Sequence, residues 1–514
     1  MSPKNTKIIP LVEIKNFSKR YGKHVVLDYT SFQIMPGERL SIIGPNGAGK
    51  TTLAKIVAGT EKTTAGKIKR SIPLSEIGSQ YQNSTFPDGY TAEELVYYYS
   101  SIVQKENKIN DVENMLKVFG FDNIRHHKAN ILSFGQKQKL NILISLLSQP
   151  KLLILDEFTN GLDVLSEKSI VDFLTEYIKR HNIAILLITH NMADAVKFSD
   201  KIVLVNDQKI KLIANSEDVT MSKNIVKEFA SFIKTDEEKV QISPTFGMKS
   251  DRILSSSDKF YKNMTKYMSA QGSNLIDSKT EACKLIEVTK TYGKKQVLKG
   301  INLSLPYDAT MAIVGPNGAG KSTLIELIAL TKRQTTGYIG WGFSNYDYEV
   351  KLDIGAQFQE TSFPSYYKLK EIVHLIKKSS KFSLIDSDYN EIVHALNLKT
   401  KMNNSFGQLS GGQKQKFNVL ITLLQRPKLL ILDELTEGLD IHSTEMVLKI
   451  IKTYQKNTRA TLLIVSHTPY EIKELTDKII FLDNGKITKM TKITKRTNVK
   501  KLMIEEFLKT GGDR

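Results

Sequence analysis

GPNGAGKTT at residues 44–52 returns as GPNGAGKST at 315–323. Each copy follows an apolar run, LSII at 40–43 and MAIV at 311–314, as a strand entering a glycine-rich turn would. Such a turn, opening directly into a helix, crowds backbone N–H groups around a phosphate, with the positive helix end behind them. Gly44, Asn46, Gly47, Gly49 and Thr52 form the first cradle, and Gly315, Asn317, Gly318, Gly320 and Thr323 the second. Lys50 and Lys321 supply point charges for the phosphates, and Thr51 and Ser322 supply hydroxyls for a Mg²⁺ ion.

The duplication extends well beyond the cradles. RYGKHVVLDYTSFQI (20–34) matches TYGKKQVLKGINLSL (291–305), and IGSQYQNSTFP (77–87) matches IGAQFQETSFP (354–364). KLLILDEFTNGLD (151–163) matches KLLILDELTEGLD (428–440), and LLITHN (186–191) matches LLIVSHT (462–468). The offset is 271 at the cradle lysines (50 to 321) and 277 at the glutamines (82 to 359), so six extra residues lie between them in the second copy. The reading is two homologous domains, 10–215 and 284–490. A turn-rich segment, 216–283, is expected to link them, with a short helix at 224–234, and a basic tail, 491–514, follows with a helix at 498–508.

Each LLILDE run fits a buried parallel strand ending in two carboxylates, which are costly to bury without a cation. Asp156 and Asp433 are the expected Mg²⁺-side groups; Glu157 and Glu434 are placed to polarise an attacking water. His190 and His467 close another apolar run and are expected to contact the γ-phosphate. Gln82 and Gln359 are further Mg²⁺ candidates, although spacing alone does not separate them from Gln80 and Gln357. Tyr21 and Tyr292 suit stacking on an adenine or packing in a core.

The 514 residues carry 73 Lys and Arg against 54 Asp and Glu, a formal charge of +19 that favours anionic neighbours or reflects a lysine-rich background. One cysteine, Cys283, excludes an internal disulfide and any cysteine-rich metal cluster. No apolar run approaches the length of a membrane span, and the N-terminus has no signal-peptide core, so a cytoplasmic chain is expected.

LSFGQKQK (132–139) and LSGGQKQK (409–416), set beside the other motifs, resemble the signature of the ATP-binding cassette superfamily across both repeats. The resemblance implies an α/β fold: two P-loop ATPase domains, each a RecA-like core with an antiparallel β subdomain and a helical subdomain. It implies ATP hydrolysis with ATP and Mg²⁺ as cofactors, and head-to-tail pairing of the two domains. Ser410, Gly412 and Gln413 would then close the ATP at Lys50, and Ser133, Gly135 and Gln136 the ATP at Lys321. Gln82 and Gln359 match the Q-loop, Asp163 and Asp440 the D-loop, and Tyr21 and Tyr292 the A-loop.

Phe134 stands where the signature has a glycine, and Phe158 and Leu435 stand where the family usually has proline; neither change removes a reacting group. The expected role is the energy-coupling subunit of a transporter at the cytoplasmic face of the cell membrane, driving separate transmembrane subunits, two non-identical ones if the differing stretches PDGYTAEELVYYYSSIV (87–103) and PSYYKLKEIVHLIKK (364–378) form their docking grooves. Tyr97, Tyr98 and Tyr99 are candidate contacts to such a partner. The alternative is a ribosome-associated ABC-F-like translation or antibiotic-resistance factor, against which the NGLD and EGLD stretches and the turn-rich linker weigh. No DNA partner is expected, since no long coiled coil or zinc module splits either domain. The cargo and its direction are not written in this chain.

Overall fold

The computed structural model describes residues 9–45, 47–81, 86–102, 109–159, 162–189, 195–196, 198–206, 208–214, 242–243, 245–246, 250–252, 280–343, 347–359, 363–379 and 382–510. The chain divides into two compact units, Met1–Leu162 with Ser166–Glu237, and Asp163–Leu165 with Glu238–Arg514. The helix expected at 224–234 lies outside the described residues.

In the first unit, β1 (Val12–Tyr21) pairs antiparallel with β2 (His24–Ile34) and with β4 (Ala65–Arg70). A second sheet contains β3 (Arg39–Ile43), β5 (Ile77–Gln80), β6 (Leu152–Asp156), β7 (Ala184–Ile188), β8 (Lys201–Asn206) and β9 (Lys209–Ala214). Its order is β5-β6-β7-β3-β8-β9, parallel throughout except for the β8–β9 hairpin. Among its described helices are α1 (Lys50–Ala58), α2 (Ala92–Ile102), α3 (Ile109–Val118), α4 (Phe134–Leu147) and α5 (Val164–His181).

Strand β6 shows why a continuous apolar run folds this way. All five of its residues are buried. Leu152 and Ile154 join the core beneath β1, β2 and α1, while Leu153 and Leu155 join the core shared with α2, α3 and α4. Side chains alternate across a strand, so a strand covered on both faces must be apolar at every position. Each such leucine or isoleucine contributes roughly 1.5–3 kcal/mol by leaving water.

The second unit repeats the plan. Strands β11 (Glu281–Tyr292), β12 (Lys295–Pro306) and β14 (Thr336–Trp341) make the antiparallel sheet. Strands β13 (Thr310–Val314), β15 (Ile354–Gln357), β17 (Leu429–Asp433), β18 (Thr461–Val465), β19 (Lys478–Asp483) and β20 (Lys486–Lys492) make the mixed one, in the order β15-β17-β18-β13-β19-β20. Its helices are α6 (Lys321–Ile328), α7 (Asp347–Asp353), α8 (Leu369–Ser379), α9 (Asp386–Ala395), α10 (Gly411–Leu424), α11 (Ile441–Thr458), α12 (Pro469–Leu475) and α13 (Val499–Thr510). Both units are therefore P-loop ATPase folds with a β subdomain and a helical subdomain. The six-residue length difference falls between the two sheets. Residues 71–76 join β4 to β5 through a short 3₁₀ turn, whereas 342–353 join β14 to β15 and contain α7.

Two segments set apart in the sequence are built into the second unit's core. From the stretch expected to be linker, β10 (Ser250–Arg252) pairs with β16 (Phe382–Leu384), and Phe246 is fully buried against Tyr454. The Asn457 amide donates to the Phe246 carbonyl at 2.8 Å. From the tail, Val499, Met503 and Phe507 of α13 are buried in the same cluster as Ile479 and Phe481.

Phe246→Ala is expected to destabilise the second unit by about 3–5 kcal/mol through the cavity it opens. Trp341, the sole tryptophan, lies in this unit, so urea unfolding followed by its fluorescence reads that loss directly.

Candidate active site

Each cradle sits at the C-terminal end of the strand in the middle of its parallel sheet, between β3 and α1 or between β13 and α6. A Cβ on Gly44 would lie 2.2 Å from the Val205 carbonyl oxygen, and one on Gly315 would lie 2.1 Å from that of Leu482. Only glycine lets the chain turn this close to the neighbouring strand. By contrast Gly47 and Gly318, at φ 83° and 81°, have no atom within 4 Å of an added Cβ, so the mouth of each turn is open.

The Lys50 ammonium donates to the carbonyls of Gly44 and Pro45 at 2.8 and 2.9 Å, and Lys321 to those of Gly315 and Pro316 at 2.8 and 3.0 Å. Both lysines are buried, and burial holds the Lys321 pKa below its ordinary value. Thr51 donates its hydroxyl to an Asp156 carboxylate oxygen at 2.8 Å. Burial pushes both Asp156 and Asp433 up to about 6, against hydrogen bonds from Thr51 and Ser322 respectively. Thr52 and Thr323 sit half-buried in the first turns of α1 and α6, and Asn317 is exposed; Asn46 lies outside the described residues.

A carboxylate and a hydroxyl in contact, at the edge of an open phosphate cradle, suit Mg²⁺. That ion takes few protein ligands and keeps waters and phosphate oxygens. Among the described residues no group of three or more His, Cys, Asp or Glu forms a protein-only cage.

Glu157 and Glu434 share a feature that motif reading did not show. Both are non-glycine residues at positive φ, 50° and 51°, with their N–H groups bonded to the carbonyls of Ile188 and Val465 at 2.9 Å. Backbone held in this sparsely populated region turns the carboxylate away from the strand that precedes it. In the second unit the Gln359 amide donates to a Glu434 carboxylate oxygen at 2.6 Å. The other Glu434 oxygen lies 3.7 Å from His467 Nε2. Burial, with the Lys321 charge, pushes His467 down to about 3, so its imidazole is neutral at physiological pH. Burial first and then Glu437 hold the Glu434 carboxyl well above the usual carboxylate range. Gln82 and His190 lie outside the described residues.

The glutamine ambiguity is geometrically distinct in the second unit. Gln357 ends β15 fully buried, with neither side-chain polar atom partnered, whereas Gln359 stands exposed and reaches Glu434. In the first unit Gln80 is buried, and its side-chain Oε1 accepts the Asp156 N–H at 3.2 Å.

The signature residues cap helices. Ser133 Oγ accepts the Gln136 N–H at 3.3 Å while the Gln136 side chain accepts the Ser133 N–H at 3.0 Å; Ser410 and Gln413 repeat the box at 3.3 and 3.1 Å. This use satisfies two helix-end donors and leaves each serine's O–H available as a donor. Gly135 is buried and Gly412 half-buried beside them. Asp440 caps α11, accepting the Ser443 N–H at 2.8 Å, and Asp163 is buried ahead of α5. Phe158 and Leu435, the proline replacements, are core residues, Phe158 packing edge-on to Phe198 at 5.4 Å. Tyr21 and Tyr292 are exposed at hairpin ends, with Lys19 4.6 Å from the first ring and Lys290 5.0 Å from the second, rather than packed in a core.

The family model described as "ABC transporter" matches residues 27–160 and 298–437, once over each unit. The chain belongs to the ABC transporter family. An uncharacterized ABC transporter ATP-binding protein of Bacillus subtilis, YfmR, is 25% identical over 93% of this chain and 82% of its own length. Among solved structures, an archaeal ribosome recycling factor, aABCE1, in complex with the ribosomal stalk protein aP1 matches at a TM-score of 0.68. It is 18% identical, over 96% of this chain and 92% of its own. A model of ribosome-bound archaeal Pelota and ABCE1 matches at 0.67 with 19% identity, over 96% of this chain and 80% of that one. ATP hydrolysis follows from the family's domain architecture.

These findings correct the partner reading. The expected energy-coupling subunit, with transmembrane subunits at the membrane face, gives way to a likeness, over nearly the whole chain, with a ribosome recycling factor and a ribosome-bound assembly. No described helix is long and apolar enough to cross a membrane. The tyrosines offered as partner contacts are partly engaged within the first unit. Tyr97 donates to Glu113 at 2.6 Å, a carboxylate also held by Arg125, and Tyr99 packs on the core with Tyr98 edge-on at 5.6 Å.

A base works only when ionised, so hydrolysis by the second unit should climb as pH is raised above 7. Glu437→Asn should move that climb to lower pH and raise the neutral-pH rate severalfold, converging with the parent at high pH. A pH–rate profile in a Lys50→Ala chain, where hydrolysis reports on the second unit, checks this.

Proposed function

We propose that the chain is a ribosome-associated ATPase that works without a transmembrane partner, its nucleotide cycle timing association and release. The observation that supports this most is the structural likeness to a ribosome recycling factor and to a ribosome-bound assembly, which covers 96% of the chain and so takes in both units. The charge of +19 is consistent with a surface that meets nucleic-acid phosphate. Of the stretches that pointed the other way, EGLD is occupied within its own unit, where Asp440 caps α11 and Glu437 acts on Glu434.

Within each unit we infer that the cradle takes the β- and γ-phosphates of ATP. Lys50 or Lys321 would turn from its own loop carbonyls to phosphate oxygens, since the donors are already directed at the cradle. Thr51 with Asp156, and Ser322 with Asp433, would hold Mg²⁺, and Gln82 and Gln359 are proposed to complete its surroundings. Bound there, the ion would neutralise charge on the transferring phosphoryl group. Glu434 would orient the attacking water and accept its proton, with Gln359 fixing the carboxylate. His467, neutral and buried, would offer an uncharged N–H to the γ-phosphate. Glu157 and His190 are proposed for the same tasks in the first unit. The exposed Tyr21 and Tyr292 rings are proposed as adenine platforms.

The test uses a chain carrying Glu157→Gln and Glu434→Gln, sedimented through a sucrose gradient with purified ribosomes. With ATP it should travel with the ribosomal peak, and with ADP it should stay at the top. A chain that remains free of ribosomes in ATP and is recovered instead with a membrane fraction would overturn the reading.

A further inference from the structure

One buried carboxyl group in the second unit has no part in the chemistry above. Glu471, on the first turns of α12, is 1% exposed. Its Oε2 accepts the Ser466 hydroxyl at 2.7 Å and the Thr436 hydroxyl at 3.3 Å, while Oε1 is buried without a partner. The two hydroxyls come from different loops. Ser466 immediately precedes His467, and its Oγ is itself fixed by the Thr468 N–H at 2.9 Å. Thr436 lies two residues after Glu434, in a turn closed by Glu437 N–H to the Glu434 carbonyl at 3.2 Å and Leu439 N–H to the Thr436 carbonyl at 3.2 Å.

We propose that Glu471 is a positioning residue for hydrolysis in the second unit: one buried oxygen ties the His467 loop to the turn that carries Glu434, so the two groups keep a fixed relation. It touches neither nucleotide nor water and acts through the residues it joins. Burying a carboxyl is costly, and here the cost is incurred at a place where the loops after β17 and β18 meet. A core position with only a packing role would be served by an apolar side chain of similar size. Burial pushes Glu471 up to about 7, which brings the neutral acid within reach at physiological pH. An amide imitates that form, keeping an oxygen for Ser466 and Thr436. The matching position of the first unit is Asp194, one methylene shorter, which lies outside the described residues.

The experiment compares Glu471→Ala, Glu471→Gln and Ser466→Ala in the full chain with Lys50→Ala. Each is combined with and without His467→Ala. Glu471→Ala should lower kcat by about tenfold or more with KM within about threefold, the pattern of a lost transition-state arrangement. Glu471→Gln should restore most of that rate. In the His467→Ala background the alanine change should cost less than about twofold, because coupled residues are non-additive. Trp341 fluorescence in urea reports folding, and Ser466→Ala carries the test if Glu471→Ala unfolds. Hydrogen exchange of peptides covering 432–440 and 465–475 needs no turnover: a non-hydrolysable ATP analogue should protect both together in the parent and uncouple them in the alanine variant. Unchanged kcat in both alanine variants, equal losses with and without His467, or identical exchange protection in parent and variant would each overturn the proposal.

Discussion

Two adjacent carboxylates at the end of a strand buried on both faces are the constraint around which each unit is organised. Asp156 and Glu157, and their counterparts Asp433 and Glu434, follow runs in which every residue is core. Charge in such a place is expensive unless cations are near, and the raised pKa values of Asp156 and Asp433 record that expense. The cradle lysine that opens the adjoining helix, the hydroxyl next to it and the open glycine mouth are the local response. The sheet order places all of them at one edge, since β3 and β13 lie one strand removed from β6 and β17.

The same constraint explains the backbone of the glutamates proposed as bases. A residue continuing the strand direction would keep its carboxylate inside the sheet's shadow. The left-handed conformation at Glu157 and Glu434 breaks that direction in one step, and the hydrogen bonds from their N–H groups to the next strand hold the break in place. The residue that follows then turns back to the core, which is why phenylalanine or leucine serves where the family usually has proline. Phe158 and Leu435 secure the turn by burial instead of by a fixed φ.

Most of the fold was legible because its signals are local and doubled. LLILD announces a strand covered on both faces, and the glycine spacing announces the turn and helix that follow. The S-x-x-Q spacing in both signatures was read for its resemblance alone, and the structure shows it also capping α4 and α10. What resisted reading depends on distant contacts. Nothing within QISPTFGMKS says that Phe246 fills a hole beside Tyr454, because a turn-rich segment and a core-docking one differ only in what lies opposite. Nor does the spacing of Gln357 and Gln359 show which one reaches Glu434; the strand's last pleat decides it, sending one inward and leaving the other on the loop beyond.

The partner was misread for a related reason. Of the stretches weighed as evidence, EGLD leads into α11, and its visible work is local. Asp440 caps a helix, and Glu437 raises the pKa of Glu434. Residues so occupied serve their own unit and carry little information on what the cycle drives. The tyrosines of α2 made the same error look reasonable. Their run of three suggests a docking stripe, yet helical geometry sends adjacent residues to different faces. Tyr97 turns its hydroxyl to Glu113, Tyr99 packs inward, and Tyr98 lies exposed beside Tyr90 at 6.2 Å. A partner surface must be argued from what a face presents after its own fold has used what it needs.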